Sequence, residues 1–505
     1  MIFLHESTLL EGYRFCGIFS IWVLLFALKP YCVIKKDKIL TILLALAGLA
    51  GAIILYLYKD DLRPLRIKHI ELVKLPANRL RFQVNVQTTR NCNTVLAYWK
   101  TGTKDTLYTK VSADGSNHKL FITATEGRTR YQFKVQAAVD GDVVESKTYP
   151  LVTQPIYQAT PYFTLEQVDS ALKPELKNKY FLTQILTEPG SMVIIDSKGE
   201  IVWYEPFKKG VKVSHWTKDK TILAIVGPEK IPSSGGDEII EMGLDGKIIT
   251  HLKKGKGDMD KLVHHEVRKD KDGNIYSLTF TQKIVDLSSV KGKQQDTVKG
   301  DGLVLFSKAG KKLWEWSVLD HLDPLADPEI LKHKKDWVHG NAAFRLPDGN
   351  FLMSFRDLNQ IWKIDFKTGK VLWKFGEKGD MRMAPAEYFH AQHYIHPVQD
   401  GNYMLLDNGD KTHISRAMIF KLDEAQKEAK ALNIVTLPPE YYTTAKGSAA
   451  LFGKKKDKVL FCLTDPRSFL ITDMKGKILW RIQVGGDPYR LEEIDDFLYT
   501  KPTFK

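Results

Sequence analysis

Residues 39–58 read ILTILLALAGLAGAIILYLY, an apolar run without one charge, and no later part of the chain repeats that pattern. At 1.5 Å per residue, a helix of about twenty residues rises roughly 30 Å, the thickness of bilayer hydrocarbon. Lys35, Lys36 and Lys38 precede the run, and Lys59, Asp60 and Asp61 follow it. The basic excess on the N-terminal side predicts a transmembrane helix that anchors the protein in the inner membrane, with the body outside the cytoplasm, in the periplasm. An earlier apolar run at 16–28 reads as a second span or an upstream extension. No small-residue cleavage site stands out, so residues 1–63 are expected to form an uncleaved anchor with the membrane as a partner.

Beyond residue 63 the period changes to two. IKHIELVKL, RLRFQVNVQT, NTVLAYWK, DTLYTKVS, HKLFITAT, RYQFKVQAAVD and VVESKTYPL are β-rich or alternate between apolar and polar positions. Seven short strands over residues 64–155 predict a small β-sandwich. The stretch ATEGRTRYQFKVQAAVDG resembles the tyrosine-bearing late strand of fibronectin type III domains, with Tyr131 as a packing residue. LEQVDSALKPELK, from Leu165, reads as a short helix.

Residues 156–505 then run strand after strand around one recurring hairpin. IIDSKGEIVWY starts at Ile194, GLDGKIITHL at Gly243, FSKAGKKLWEW at Phe306, KIDFKTGKVLWKF at Lys363 and ITDMKGKILWRI at Ile471. FKLDEAQKEAKALNIVTL, at Phe420, is a further copy with its turn expanded. The spacing suits one four-stranded antiparallel sheet per repeat, and one sheet alone cannot bury both faces. Six copies predict an all-β chain closed into a six-bladed β-propeller. A second recurring element is the turn DGN at Asp272, Asp348 and Asp400. Its glycine supplies the left-handed backbone of a tight turn.

Composition changes this picture little. The net charge is +14, but the basic residues are spread along the chain, with no arm or aromatic–basic module for nucleic acid. The four cysteines, Cys16, Cys32, Cys92 and Cys462, form no CxxC pair and no disulfide framework.

The chemistry lies ahead of the DGN turns. His264 and His265 stand nine and eight residues before Gly273, His339 ten before Gly349, and His393 eight before Gly401. Equivalent positions of successive blades converge on the central channel, so histidines remote in sequence are expected to meet. Asn341, Arg356 and Arg416 lie in the same motifs. Imidazoles in such a group could hold a metal, or one could attack as a nucleophile while cationic donors neutralise developing charge.

HHE at His264, DWVHGN at Asp336, SFRDLNQIWKID at Ser354 and QHYIHP at Gln392 resemble the bacterial arylsulfate sulfotransferase family, over roughly residues 180–490. The resemblance implies an exported six-bladed propeller behind a β-sandwich. It implies transfer of a sulfuryl group from a phenolic sulfate ester to a phenolic acceptor, without a nucleotide donor, by a ping-pong route through a sulfated histidine. It places the nucleophile at His393, with His339, His264 and Arg356 as further catalytic residues. Asn341, His265 and Arg416 would bind substrate. It implies no cofactor and no metal. One position departs from the pattern, since the aspartate of the family's Q-H-D is Tyr394 here. Two other readings stay open: a membrane-tethered, non-catalytic binding propeller, and a metal-dependent hydrolase or lyase on the same scaffold. DPRSF at Asp465 and DPYRLEEI at Asp487 read as loop and packing residues that line or close the last blade.

Overall fold

The recurring hairpin is the outer half of each blade. In the computed structural model, which describes residues 36–58, 63–156, 162–231 and 234–504, six antiparallel sheets each contain one copy. Blades two to five each begin on their innermost strand, at Gly210–Trp216, Val263–Lys269, Gly340–Arg345 and His393–Pro397, and blade six begins at Ser448–Phe452. Blade one takes its inner strand, Pro488–Ile494, from the far end of the chain, where it pairs with Tyr180–Ile185. The inner strands of neighbouring blades touch in a closed ring. Closure leaves no blade with an open flank.

The repeated tryptophan explains how blades hold one another. Trp203 of blade one donates its indole N–H to Leu244 O in the turn of blade two, at 2.9 Å. Trp316 of blade three donates to Gly369 O in the turn of blade four, at 2.8 Å. Trp480 of blade six donates to Ser197 O in the turn of blade one, at 2.8 Å, and so latches the ring shut. Trp373 of blade four packs in one cluster with Phe420 and Ala429 of blade five, and its buried N–H has no partner. The aliphatic residues of the same strands fill the layers between blades; Met353, Phe355 and Trp362, for example, pack with Leu278 and Leu303.

Three expectations are corrected. Residues 65–155 do not form two facing sheets. They form one seven-stranded sheet that curls on itself into a half-barrel. The cause is Phe82–Lys100, a single strand where two were expected. Its first half pairs with Ile67–Lys74 and Ser112–Ile122, and its second half with Arg130–Val139. Next, the helix expected from Leu165 forms only in part, and its first residues are strand. Phe163–Val168 is recruited as the outermost strand of blade six against Ile478–Val484, and only Lys173–Leu176 stays helical. Sheet pairing overrides local propensity there.

The third correction concerns the anchor. Residues Lys36–Tyr58 are helical, but among the described residues no helix is long and apolar enough to cross a membrane. The transmembrane helix is overturned, and with it the membrane as a partner and the inner-membrane, periplasmic placement of the body. The earlier run at 16–28 lies outside the described residues. The helix belongs to one compact unit that ends at Pro64; the curled sheet and the propeller share the other.

Candidate active site

His393 opens the inner strand of blade five and is 1% exposed. Its Nδ1 lies 2.7 Å from Asn408 Oδ1 and 3.0 Å from Ala391 O. Asn408 is itself fixed, because its Nδ2 donates to Thr443 O and Lys446 O, each at 3.0 Å. Its Oδ1 therefore faces the imidazole, and Nδ1 carries the proton. Nε2 is left with a lone pair, which accepts from Lys446 N at 3.1 Å. Burial, followed by the charge of Arg490, drives the proton affinity of His393 far below that of a free histidine, despite the hydrogen bond to Asn408. The ring is neutral at physiological pH and presents a directed lone pair.

Next to it stand the other motif histidines. His339 is partly exposed and has Nδ1 2.7 Å from Asp336 Oδ2. Burial opposes its charge, but the hydrogen bond and carboxylate of Asp336 outweigh burial and raise its pKa. The ring of His265 packs on that of His339 with centroids 5.1 Å apart. His265 is buried, and after burial the charges of His264, His339, His393 and Arg490 depress its pKa. His264 stands one step behind. Its Nδ1 is 2.8 Å from His265 Nδ1, and its ring stacks on Phe280 with centroids 4.1 Å apart. Its Nε2 comes within 3.2 Å of Asp301 Oδ1, but the two are not aligned as a hydrogen bond. Of the HH pair, then, His265 faces the channel group and His264 supports it.

Arg356 follows the second strand of blade four. Its backbone N–H donates to His339 O at 3.0 Å, and its Nη1 pairs with the neighbouring Asp357. Its charge reaches His393. Asn341 is fully buried, and its Nδ2 donates to Gln392 O at 2.7 Å, next to His393, while its Oδ1 has no partner. Arg416 is placed differently. Its guanidinium grips buried Asp407 and Tyr388 O, with Nε 2.8 Å from Asp407 Oδ2. Its Nε and Nη2 donors are spent on the fold of blade five.

Sequence reasoning missed Arg490. It lies in the last inner strand, which had been read as packing, and it is 2% exposed. Its Cζ sits 4.6 Å from the Tyr394 ring centroid and 4.4 Å from that of Tyr489. It donates to Gly447 O and, at 3.3 Å, to Asn341 O. Among the described residues no carboxylate forms an ion pair with it. Tyr394, which stands where the aspartate was expected, presents its ring to both Arg490 and Arg268. Deeper in the channel, buried Glu266 is held by His215 at 2.5 Å and Arg268 at 3.1 Å. Burial opposes the charge of Glu266, but the charge of Arg268 and the contact with His215 bring its pKa down to about 2. Asn408 and Asp336 carried weak sequence signals, one within LDNG and one within DWVHGN. Arg490 carried none, because its strand has no DGN turn after it.

Among the described residues no group of three or more His, Cys, Asp or Glu side chains is disposed to hold a metal ion. The metal-dependent reading therefore finds no ligand set there.

Residues 164–463, more than half of the chain, match the family model described as Arylsulfotransferase (ASST). No curated protein matches. Among solved structures, a Bacteroides caccae protein of unknown function is 13% identical with a TM-score of 0.41, covering 63% of this chain and 99% of its own. An inactive variant of the Staphylococcus aureus virginiamycin B lyase, solved with quinupristin, is 12% identical with a TM-score of 0.33, covering 64% and 99%.

Proposed function

We propose the following reaction from one premise: the chain belongs to the arylsulfotransferase family, and it is an enzyme of sulfotransferase type. It moves a sulfuryl group from a phenolic sulfate ester to a phenolic acceptor, without a nucleotide donor, in two half-reactions through His393. The observation that carries this reading is the state of His393: buried, neutral, with Nδ1 protonated by its tie to Asn408 and Nε2 left as a lone pair.

In the first half-reaction Nε2 exchanges its hydrogen bond from Lys446 N–H for sulfur. The N–S bond forms and the S–O bond to the donor breaks. The electron pair goes to the phenolate oxygen, which takes the proton of His339. In the second half-reaction the acceptor hydroxyl gives its proton back to His339 and its oxygen attacks sulfur, and the N–S pair returns to Nε2. The sulfo-imidazolium between the two steps keeps its Nδ1 proton on Asn408 Oδ1.

The remaining groups handle charge. Arg356 is the donor for the non-transferring sulfuryl oxygens. Arg490 acts through its field: it holds His393 neutral and offsets the incoming negative charge. Asn341 positions the Gln392–His393 backbone, and His265 packs behind His339. His264 orients His265 and stays out of contact with substrate. Arg416 keeps blade five in shape.

Incubation of the purified protein with 4-nitrophenyl sulfate and phenol tests this. Nitrophenolate release matched by phenyl sulfate supports transfer. Release from His393→Ala at the wild-type rate overturns the nucleophile. No release with any aryl sulfate favours a non-catalytic binding propeller.

A further inference from the structure

A cleft of about 890 Å³ lies on blade three, outside the histidine group. It falls within the size range of small-molecule sites. Its inner wall is apolar and aromatic, made of Leu262, Phe280, Trp316 and Leu319. Phe280 is shared with the chemistry, because its ring also stacks on His264. A second link runs through Lys299, whose carbonyl accepts from Trp337 N at 2.9 Å in the segment that carries Asp336 and His339. Phe280 stands between the cleft and His264, and Lys335 on the cleft rim directly precedes Asp336, the partner of His339.

Its rim has an uncompensated sign. Lys254, Lys283, Lys299 and Lys335 line it, and among the described residues none of the four forms an ion pair with a carboxylate. Two of the three acidic residues that line it are already engaged. Glu315 pairs with Lys261 and Lys312, and Asp260 with Lys312. Asp320 alone adds free negative charge. An aromatic wall beneath unpaired ammonium groups suits a planar apolar body with an anionic end.

We infer that this cleft is the acceptor-tail subsite, and that the preferred acceptor is a phenol carrying a second, anionic group such as a carboxylate. The inference rests on the transfer reading above. The phenol hydroxyl goes to His339 and His393, the body lies along Phe280 and Trp316, and the anionic tail meets the lysines. The lysines take no part in breaking bonds. They act on selectivity alone.

The test compares two acceptors, 3-(4-hydroxyphenyl)propanoate and its neutral amide, with 4-nitrophenyl sulfate as donor. The quantity read is the ratio of their kcat/KM values in the wild type and in the Lys283→Gln, Lys299→Gln, Lys335→Gln triple variant. Exposed charge pairs are individually weak, so three together are expected to favour the anion by about tenfold at low salt. The preference is expected to vanish in the triple variant. A wild-type ratio near one, or a ratio unchanged by the triple substitution, overturns the subsite. If phenol turns over but neither of these acceptors does, the subsite is overturned; if phenol fails as well, the transfer reading has failed and calorimetric titration of the propanoate decides the cleft. Binding that the triple variant loses supports an anion subsite; equal binding, or none, overturns it.

Discussion

Replacing Asp336 by asparagine separates the proposed acid–base pair from its scaffold. The substitution keeps size and leaves a hydrogen-bonding amide, but it removes the charge that raises the proton affinity of His339. The contact is short, with His339 Nδ1 2.7 Å from Asp336 Oδ2. A charge-assisted hydrogen bond of this kind is worth roughly 1.5–3 kcal/mol when dry. Asp336 is 54% exposed on its side chain, so solvent reduces that to about 1 kcal/mol. A loss of that size in stabilising a protonated His339 slows proton delivery by about fivefold where His339 is only partly protonated. The sign follows from the direction of the shift. Asp336 raises the pKa of His339, so the acid form survives to higher pH in the wild type and is lost earlier in the variant. The assay is the pH profile of kcat/KM with phenyl sulfate and with 4-nitrophenyl sulfate as donors. The alkaline limb is expected to move to lower pH with phenyl sulfate, whose leaving group needs a proton, and much less with 4-nitrophenyl sulfate. An unmoved limb, or the same shift for both donors, refutes the role of His339 as the acid.

Three further outcomes follow from the geometry. Arg416→Ala leaves Asp407, fully buried on its side chain, without its partner; urea unfolding should show a loss of roughly 3–5 kcal/mol, while KM of the folded fraction stays unchanged. Burial raises the pKa of Asp301 to about 7, so its contribution to stability is present at low pH and lost as pH rises from about 4 through 7. Asp301→Asn should flatten the stability profile across that window, and a slope as steep as in the wild type would contradict the assignment. Arg490→Met removes a cation that helps to keep His393 neutral, so the acid limb of kcat/KM should move to higher pH and donor KM should rise by about tenfold; an unchanged profile would mean that Arg490 only fills space between Tyr394 and Tyr489.

The propeller was legible because its repeat is physical. Five of the six copies carry a glycine turn and four a tryptophan, and Trp203, Trp316 and Trp480 each reach the next blade. The register of the DGN turns likewise pointed to His264 or His265, with His339 and His393, as one group, and the family resemblance named His264 as the catalytic member of the pair. Register could not separate His264 from His265, because two adjacent residues differ only in which way the strand turns them, and a bulge between His264 and Val267 breaks the simple alternation. Arg416 lay in a motif but serves Asp407, a partner that only the folded blade brings near. Arg490 was invisible for the converse reason. Its strand crosses from the end of the chain into blade one, and no local pattern encodes a pairing made over some 300 residues. The curled sheet was missed because one long strand, Phe82–Lys100, reads as two wherever its polar middle interrupts the alternation.

The central claim is the covalent one. The wild-type protein, mixed with an aryl sulfate in the absence of acceptor and digested under alkaline conditions that spare N–S bonds, can be analysed by mass spectrometry with its His393→Asn variant as control. One sulfuryl group is expected on the peptide that contains His393, formed together with a stoichiometric burst of phenol and discharged when acceptor is added. A burst without that label, a label on a peptide carrying His265 or His339, or a label that persists in the presence of acceptor would contradict it.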